Sequence, residues 1–444
     1  GYDTYPEWLK QRLEWFMDQR FGLILHWAPY SQWDCCESWP LVPEPNAWAR
    51  HDGMTCWVER DRDFDRFCRD YRALNRTFNP VRFDPDRWAG IAQAAGARYV
   101  TYTTKHHDGF CMWDTRTTDY RITHPDCPFH ADPRADTVRG VFDAFRRRNM
   151  AISCYFSKSD WHCPWYWAPQ FPVRDRNVNY DTAQHPEIWE QFVRFVHSQI
   201  GELMTRYGPI DVLWLDGGQV RAPEQDIRMD EIAAMARRHQ PGLIIADRTV
   251  GGVNENFITP EQEIPEAPLG VPWESCITLG KGWKYNPRNV YKPVGQVVRM
   301  LVETVSKGGN LLLGVGPSPE GEFPAEDEKR LREIGAWLSA NGDAIYRTRP
   351  VAPYQEGNVR FTRRGDAVYA ILLPGADGRA PAQLGLASFR PADGSEVTLL
   401  DGARPVRWQP RGAGCTIFLP DPLPPAHAWC FRLHPAGGAS GPAS

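Results

Sequence analysis

The chain has no apolar run near the roughly 20 residues that a membrane-crossing helix requires, and its mean hydropathy is −0.52. No cysteine pair has the CxxC or CxxxC spacing of a zinc site or redox centre, and the 11 cysteines are scattered. An odd number leaves at least one unpaired, so most read as buried reduced thiols. No excess of positive charge exists: 51 Lys and Arg face 55 Asp and Glu, for a net charge of −4. That balance excludes a nucleic-acid binder held by a basic face. No glycine-rich GxGxxG turn follows the first strand-like run, which weighs against a dinucleotide-binding fold. Internal repeats and low-complexity blocks are missing from the body of the chain. The chain opens on Gly1 rather than Met. It is therefore compatible with a removed leader and a secreted or periplasmic location, or otherwise a cytoplasmic one.

What is present is aromatic. The 444 residues include 19 Trp, 16 Tyr and 20 Phe, 12% in all. Such side chains fill cores, but they also make flat surfaces for ring-shaped ligands. Apolar runs of strand length occur at 21–27, 97–104, 151–157, 210–216, 243–248 and 310–316. They are apolar throughout rather than alternating, as strands buried on both faces are. Amphipathic stretches at 186–206, 226–240, 293–307 and 325–340 predict helices between and after them. The alternation predicts an α/β fold, either a (β/α)8 barrel or a doubly wound sheet. Beyond residue 348 the helical period stops, and short runs between Gly, Pro and Asp clusters predict a β-sandwich. The expected organisation is a barrel over 1–347, a sandwich over 348–436 and a flexible tail over 437–444.

The barrel is favoured by what stands at the ends of the runs, since barrel enzymes build their sites where the C-terminal strand ends converge. His26 and Trp27 end the first run, Lys105, His106, His107 and Asp108 the second, and Tyr155 lies in the third. Asp216 ends the fourth, and Asp247 and Arg248 lie in the fifth. A carboxylate at the end of a buried strand costs desolvation unless partners or a task hold it there. Glu37 with Trp39, and Trp161 with Asp160 and His162, repeat the pairing of polar group and aromatic ring. Hydroxyls of a sugar need charged or bidentate partners, and its CH-rich face lies on a ring. His106 and His107 are expected to point in opposite directions on an extended chain, which argues against both ligating one metal ion. No metal and no cofactor are therefore expected. Glycosidic hydrolysis usually takes two carboxylates. Asp216 supplies one, while Glu255, Glu261 and Glu274 are open candidates for the other.

Taken together, these phrases resemble the α-L-fucosidases of glycoside hydrolase family 29, over roughly residues 7 to 348. The resemblance is carried by RFGLILHW (20–27), FNPVRFDPDRW (78–88), TTKHHDGFCMWDT (103–115), DVLWLDGG (211–218), ADR (246–248), PWESC (272–276) and VSKGGNLLLGVGPSPEG (305–321). It implies an irregular (β/α)8 barrel followed by a C-terminal β-sandwich, and retaining hydrolysis of terminal α-L-fucose from a glycan. It implies Asp216 as nucleophile and Glu261, in FITPEQ, as first choice for the acid/base, with Glu255 and Glu274 as alternatives. His26, Trp27, Glu37, Trp39, His106, His107, Tyr155, Trp161, Trp214 and Arg248 are the implied sugar-site residues. Two departures stand out: Ser38 separates Glu37 from Trp39, and Thr249 follows Arg248 where many members carry Trp. Segment 161–167 (WHCPWYW) is expected to form an aromatic wall over the site. The alternatives are a same-fold glycosidase for a related sugar such as α-L-galactose, a silent carbohydrate-binding protein, or a metal-dependent hydrolase. The implied partner is a fucosylated glycan; no nucleic acid or membrane span is expected, and a homo-oligomer is compatible with the chain.

Overall fold

The computed structural model describes residues 1–43 and 46–438, so the end of the expected flexible tail lies outside the described residues. Seven strands form one sheet: β1 (Phe21–Leu25), β2 (Tyr99–Lys105), β3 (Ala151–Ser157), β4 (Val212–Asp216), β5 (Ile244–Asp247), β6 (Glu274–Thr278) and β7 (Asn310–Val315). Their order is β5-β4-β3-β2-β1-β7-β6, and every pairing is parallel. All their residues are buried except the half-buried Asp216 at the end of β4. That explains their continuous apolar character, because each strand has a face toward the barrel axis and a face under a helix.

The helices are α1 (Glu7–Met17), α2 (Thr55–Val58), α3 (Phe64–Arg72), α4 (Pro85–Ala94), α5 (Thr137–Arg147), α6 (Pro186–Arg206), α7 (Met229–His239), α8 (Val294–Ser306) and α9 (Ala325–Asn341). Helix α6 shows how the period works: Phe192, Val196, Ile200 and Leu203 are all buried at spacings of three and four. Asp63, Asp84 and Asp136 precede α3, α4 and α5 and accept from the third backbone N–H of each helix, satisfying donors the helix leaves open.

The two edge strands, β5 and β6, are joined by an irregular segment rather than a regular eighth strand. On one side Asn256 N donates to Ile245 O at 2.8 Å, and Ile245 N donates to Asn256 Oδ1 at 2.8 Å. On the other side Glu274 N donates to Ile258 O at 2.9 Å, Cys276 N to Pro260 O at 3.0 Å and Gln262 N to Cys276 O at 2.9 Å. Residues 254–262 thus cover both open edges and make the barrel an irregular (β/α)8 form. Strand β6 was not among the apolar runs read from the sequence, because ESCIT opens with a charged residue.

The C-terminal part is antiparallel, with β8 (Gln355–Glu356), β9 (Val359–Arg364), β10 (Ala367–Leu372), β11 (Gln383–Leu386), β12 (Val397–Leu399), β13 (Arg404–Val406), β14 (Trp408–Arg411), β15 (Gly414–Phe418) and β16 (Trp429–Leu433). They form sheets ordered β13-β12-β16-β10-β9-β8 and β11-β15-β14, which enclose Phe361, Val368, Ile417 and Phe431. The opposite face of the larger sheet gives Tyr369, Ile371 and Cys430 to the barrel's core. There Arg360 makes a two-pronged ion pair with Glu303 of α8, at 3.0 and 2.7 Å. All 11 cysteines are free thiols, nine of them buried.

Candidate active site

A cavity of about 200 Å³ opens at the C-terminal strand ends. Its lining includes His26, Glu37, Trp39, His106, His107, Tyr155, Trp214, Asp216, Arg248 and Glu261, which brings together most of the residues expected from the sequence. Larger surface depressions exist, including one of about 720 Å³ lined by parts of α4 and α9. The smaller cavity is the candidate, because it gathers carboxylates, imidazoles and a guanidinium around one space.

Asp216 is the hub. Tyr155 Oη donates to its Oδ2 at 2.7 Å, Arg248 Nη1 to its Oδ1 at 2.8 Å, and Gly217 N to Oδ1 at 3.0 Å. His107 Nε2 lies 3.7 Å from Oδ2. Burial by itself would raise the pKa of Asp216, but Arg248, His107 and the Tyr155 hydrogen bond outweigh it and hold the carboxyl well below its usual range. Arg248 is correspondingly pushed upward despite its burial. Its second terminal nitrogen, Nη2, donates to Glu261 Oε2 at 3.1 Å, while Nε donates to Thr259 Oγ1 at 2.9 Å. One guanidinium therefore spans Asp216 and Glu261 and is tied to the segment that closes the barrel. Side-chain exposure is 22% for Asp216 and 48% for Glu261, so the second carboxylate stands nearer the opening.

Glu255 and Glu274 are occupied elsewhere. Glu255 accepts from Thr249 N at 3.2 Å and from Gly251 N at 2.6 Å, holding the loop after β5. Glu274 begins β6, so it lies at the opposite end of its strand from the mouth, with 0% exposure. It accepts from Tyr99 Oη at 2.6 Å and Trp214 Nε1 at 2.9 Å. Neither residue lines the cavity.

The three histidines form a cluster of neutral rings. Burial lowers the pKa of His26 to about 3 and that of His107 to about 4, against the raising effect of Asp216, and holds that of His106 well below the usual imidazole range. His106 Nδ1 lies 2.6 Å from Ser38 Oγ, and His107 Nδ1 lies 2.5 Å from Ser157 Oγ. These serines orient the rings and leave each Nε2 for other partners. The expected divergence of His106 and His107 is wrong. The β2–β3 register shifts between Thr103 and Lys105, and Gly109 N donates to His106 O at 3.1 Å, closing a turn. The chain is no longer extended there, so the two rings lie 4.3 Å apart on the same cavity. With Asp216 they offer three ligand-type atoms within 4.8 Å of one another.

Two expected sugar contacts are corrected. Trp27 is fully buried and does not line the cavity. Its ring packs on Phe78, Phe83 and Trp88 at 5.0–5.5 Å, and its Nε1 donates to Ser318 O at 2.8 Å. His26 takes the inward direction at the end of β1, so its neighbour points outward. Trp161 is also buried behind the cavity wall, 5.3 Å from Trp39 and stacked on Trp167 at 5.4 Å. The expected aromatic wall of 161–167 is therefore a packed layer rather than a lining. Trp113 is core as well and donates to Glu202 at 2.8 Å.

Trp214 forms part of the floor, stacked on Tyr155 at 5.2 Å and under the Arg248 guanidinium at 4.3 Å. Glu37 is buried, with its pKa raised to about 7 by burial against the opposing Lys284, whose N–H donates to Glu37 Oε1 at 3.2 Å. Three non-glycine residues with positive φ stand at the site: Glu37 itself (37°), Thr249 after Arg248 (62°) and Gln262 after Glu261 (57°). Strained backbone of this kind persists where surrounding contacts over-determine it. Sequence reading missed Trp283, Arg176, Gln219 and Cys276 in the lining. Trp283 and Arg176 come from long loops without periodicity and carry no local signal.

A model of the α-L-fucosidase family matches residues 2–343. Tissue alpha-L-fucosidase of Bos taurus is 29% identical over 447 residues, spanning 94% of this chain and 88% of that protein. The structure of alpha-L-fucosidase isoenzyme 1 from Paenibacillus thiaminolyticus superposes with a TM-score of 0.76 at 32% identity, covering 97% of this chain and all of the other. A family GH29 alpha-L-fucosidase from Bacteroides thetaiotaomicron, at 21% identity, shares the fold with a TM-score of 0.73 and 95% of each chain covered.

Proposed function

The chain belongs to the α-L-fucosidase family, glycoside hydrolase family 29, and on that premise we propose that it removes terminal α-L-fucose from a fucosylated glycan by double displacement. Asp216 attacks the anomeric carbon and Glu261 gives a proton to the departing oxygen. Water, deprotonated by Glu261, then releases fucose from Asp216. The observation that carries this reading is the bridge made by Arg248, 2.8 Å from Asp216 and 3.1 Å from Glu261. Two carboxyl groups within the span of one guanidinium suit the retaining separation of about 5–5.5 Å rather than the wider gap of an inverting pair. The assignment also agrees with exposure, since the nucleophile lies deeper and the acid must reach the leaving group at the mouth. His26, His106, His107, Glu37 and Trp39 line the same cavity, and in this reading they meet the sugar's hydroxyls and its apolar face.

The test uses a chromogenic α-L-fucoside and a 2-fluoro fucosyl fluoride. Wild type should turn over the first with initial release of the α-anomer. The second should label Asp216, seen by mass spectrometry of the peptide. Asp216→Ala should lose turnover. Glu261→Ala should keep more activity on substrates with good leaving groups, and azide should restore it while yielding α-fucosyl azide, because azide attacks the β-linked fucosyl-enzyme from the face opposite Asp216 and so completes the second inversion. Label on another carboxylate, or full activity of Asp216→Ala, overturns the assignment.

A further inference from the structure

The wall of the cavity carries a cation that the proposed reaction does not use. Arg176 lines the cavity and its side chain is exposed. Among the described residues it forms no ion pair. Its guanidinium carbon lies 5.9 Å from the ring centre of Trp39. An arginine at this position on a floppy loop would mean little, but its backbone is anchored. Trp161 Nε1 and Tyr166 Oη both donate to Arg176 O at 3.1 Å, and Trp167 Nε1 donates to Asn177 O at 3.0 Å. All three aromatic residues are buried, so the WHCPWYW layer serves as a frame for this stretch of backbone.

A groove of about 710 Å³ continues from the same wall. Gln219 is common to cavity and groove, and Asn177, next to Arg176, lines the groove. Farther along, the groove carries both signs of charge, with Arg221, Asp181 and Glu224. Those two acids do not line the cavity, whereas Arg176 does. Arg176 thus stands where cavity and groove meet, and the acids of the groove, Asp181 and Glu224, lie on the groove side alone.

We propose that this junction is an aglycone subsite in which Arg176 binds an anionic oxygen group, sulfate or carboxylate, on the sugar next to the scissile bond. A planar guanidinium matches either group through two parallel N–H donors. The groove beyond Gln219 then accommodates the rest of a polar oligosaccharide. The inference rests on the proposed fucosidase reading, and the experiment separates the two.

The measurement is kcat/KM on four substrates: an aryl α-L-fucoside, a neutral fucosyl disaccharide, and the same disaccharide carrying either a sulfate ester or a carboxylate on the second sugar. Wild type should prefer at least one anionic disaccharide over the neutral one by about tenfold at low salt, with the preference shrinking in 0.5 M salt, the test concentration, as a partly exposed pair is screened. The two anionic arms tell which group the junction takes. In Arg176→Gln the ratio of anionic to neutral kcat/KM should fall to about one, and Arg176→Lys should keep part of it. Because the readout is a ratio within each variant, a general loss of activity does not imitate the result. Turnover of the aryl fucoside without anionic preference in wild type, or a preference that survives in Arg176→Gln, overturns the inference alone. No turnover of any substrate by folded wild type overturns the fucosidase reading and this inference with it.

Discussion

The indole N–H of Trp214 donates to the fully buried carboxyl of Glu274 at 2.9 Å. The same ring lies under Arg248 and against Tyr155, the two residues whose side chains donate to Asp216. A carboxyl at the bottom of the barrel thus supports the floor of the site from below. Burial raises its pKa to about 7, against the lowering effect of Tyr99 and Trp214. A carboxyl whose pKa is raised on folding adds stability below its unfolded value of about 4.5, and that stability is lost as pH rises through about 7. Glu274→Gln mimics the protonated group, with its carbonyl toward Trp214 and its amide toward Tyr99. The variant's Tm relative to wild type should therefore be higher at pH 8 than at pH 5. The full difference is on the order of 3 kcal/mol. Thermal melts at the two pH values decide it, and a pH-independent difference would show that Glu274 does not titrate in this window.

Removing Arg248 should act on Asp216 through charge. With the guanidinium gone, burial is less well opposed and the carboxyl's pKa rises. Since attack requires the carboxylate, the acidic limb of the kcat/KM profile in Arg248→Ala should move to higher pH. The maximum should fall by roughly 10²–10³. Tyr155→Phe deletes only the 2.7 Å hydrogen bond. It should shift the limb the same way by less and cost about 10–100-fold. An unmoved limb in both variants would mean that another group sets it.

The barrel was legible because strands buried on both faces must be apolar throughout, and six of the seven were found that way. Strand β6 escaped because Glu274, a buried acid held by Tyr99 and Trp214, interrupts the pattern. Asp216 was legible for the opposite reason, as a charge standing where a buried strand ends. Choosing among Glu255, Glu261 and Glu274 was beyond reach, since the choice depends on how residues 254–262 bridge β5 and β6, and that pairing is irregular and non-local. Alternation along a strand does explain why Trp27 turns away from His26. The same rule failed for His106 and His107, where the strand had already become a turn.

Reassigning Trp27 to the core carries its own test. Trp27→Phe removes the 2.8 Å hydrogen bond to Ser318 O and part of a ring packed among Phe78, Phe83 and Trp88. Stability should drop by about 1–3 kcal/mol, with KM for an aryl fucoside close to wild type. Trp39→Phe, on the cavity wall, should do the reverse and raise KM with a smaller loss of Tm. If Trp27→Phe raised KM several-fold in a fully folded sample, the residue would have to be returned to the site.

The three ligand-type atoms of His106, His107 and Asp216 make a metal-dependent mechanism worth testing directly. The electrostatics oppose it. Asp216 is already met by the Arg248 cation at 2.8 Å and by the Tyr155 hydroxyl at 2.7 Å. A divalent ion on the same carboxylate would lie close to that guanidinium in a poorly solvated space, where like charges repel by several kcal/mol. The neutral histidines have a simpler use, since each offers its Nε2 to a hydroxyl while a serine holds Nδ1. Prolonged dialysis against a strong chelator should therefore leave kcat/KM unchanged, and added zinc should inhibit if it acts at all. Activity that fell on chelation and returned with a stoichiometric divalent ion would make the cluster a metal centre and overturn the proposal of Asp216 as nucleophile.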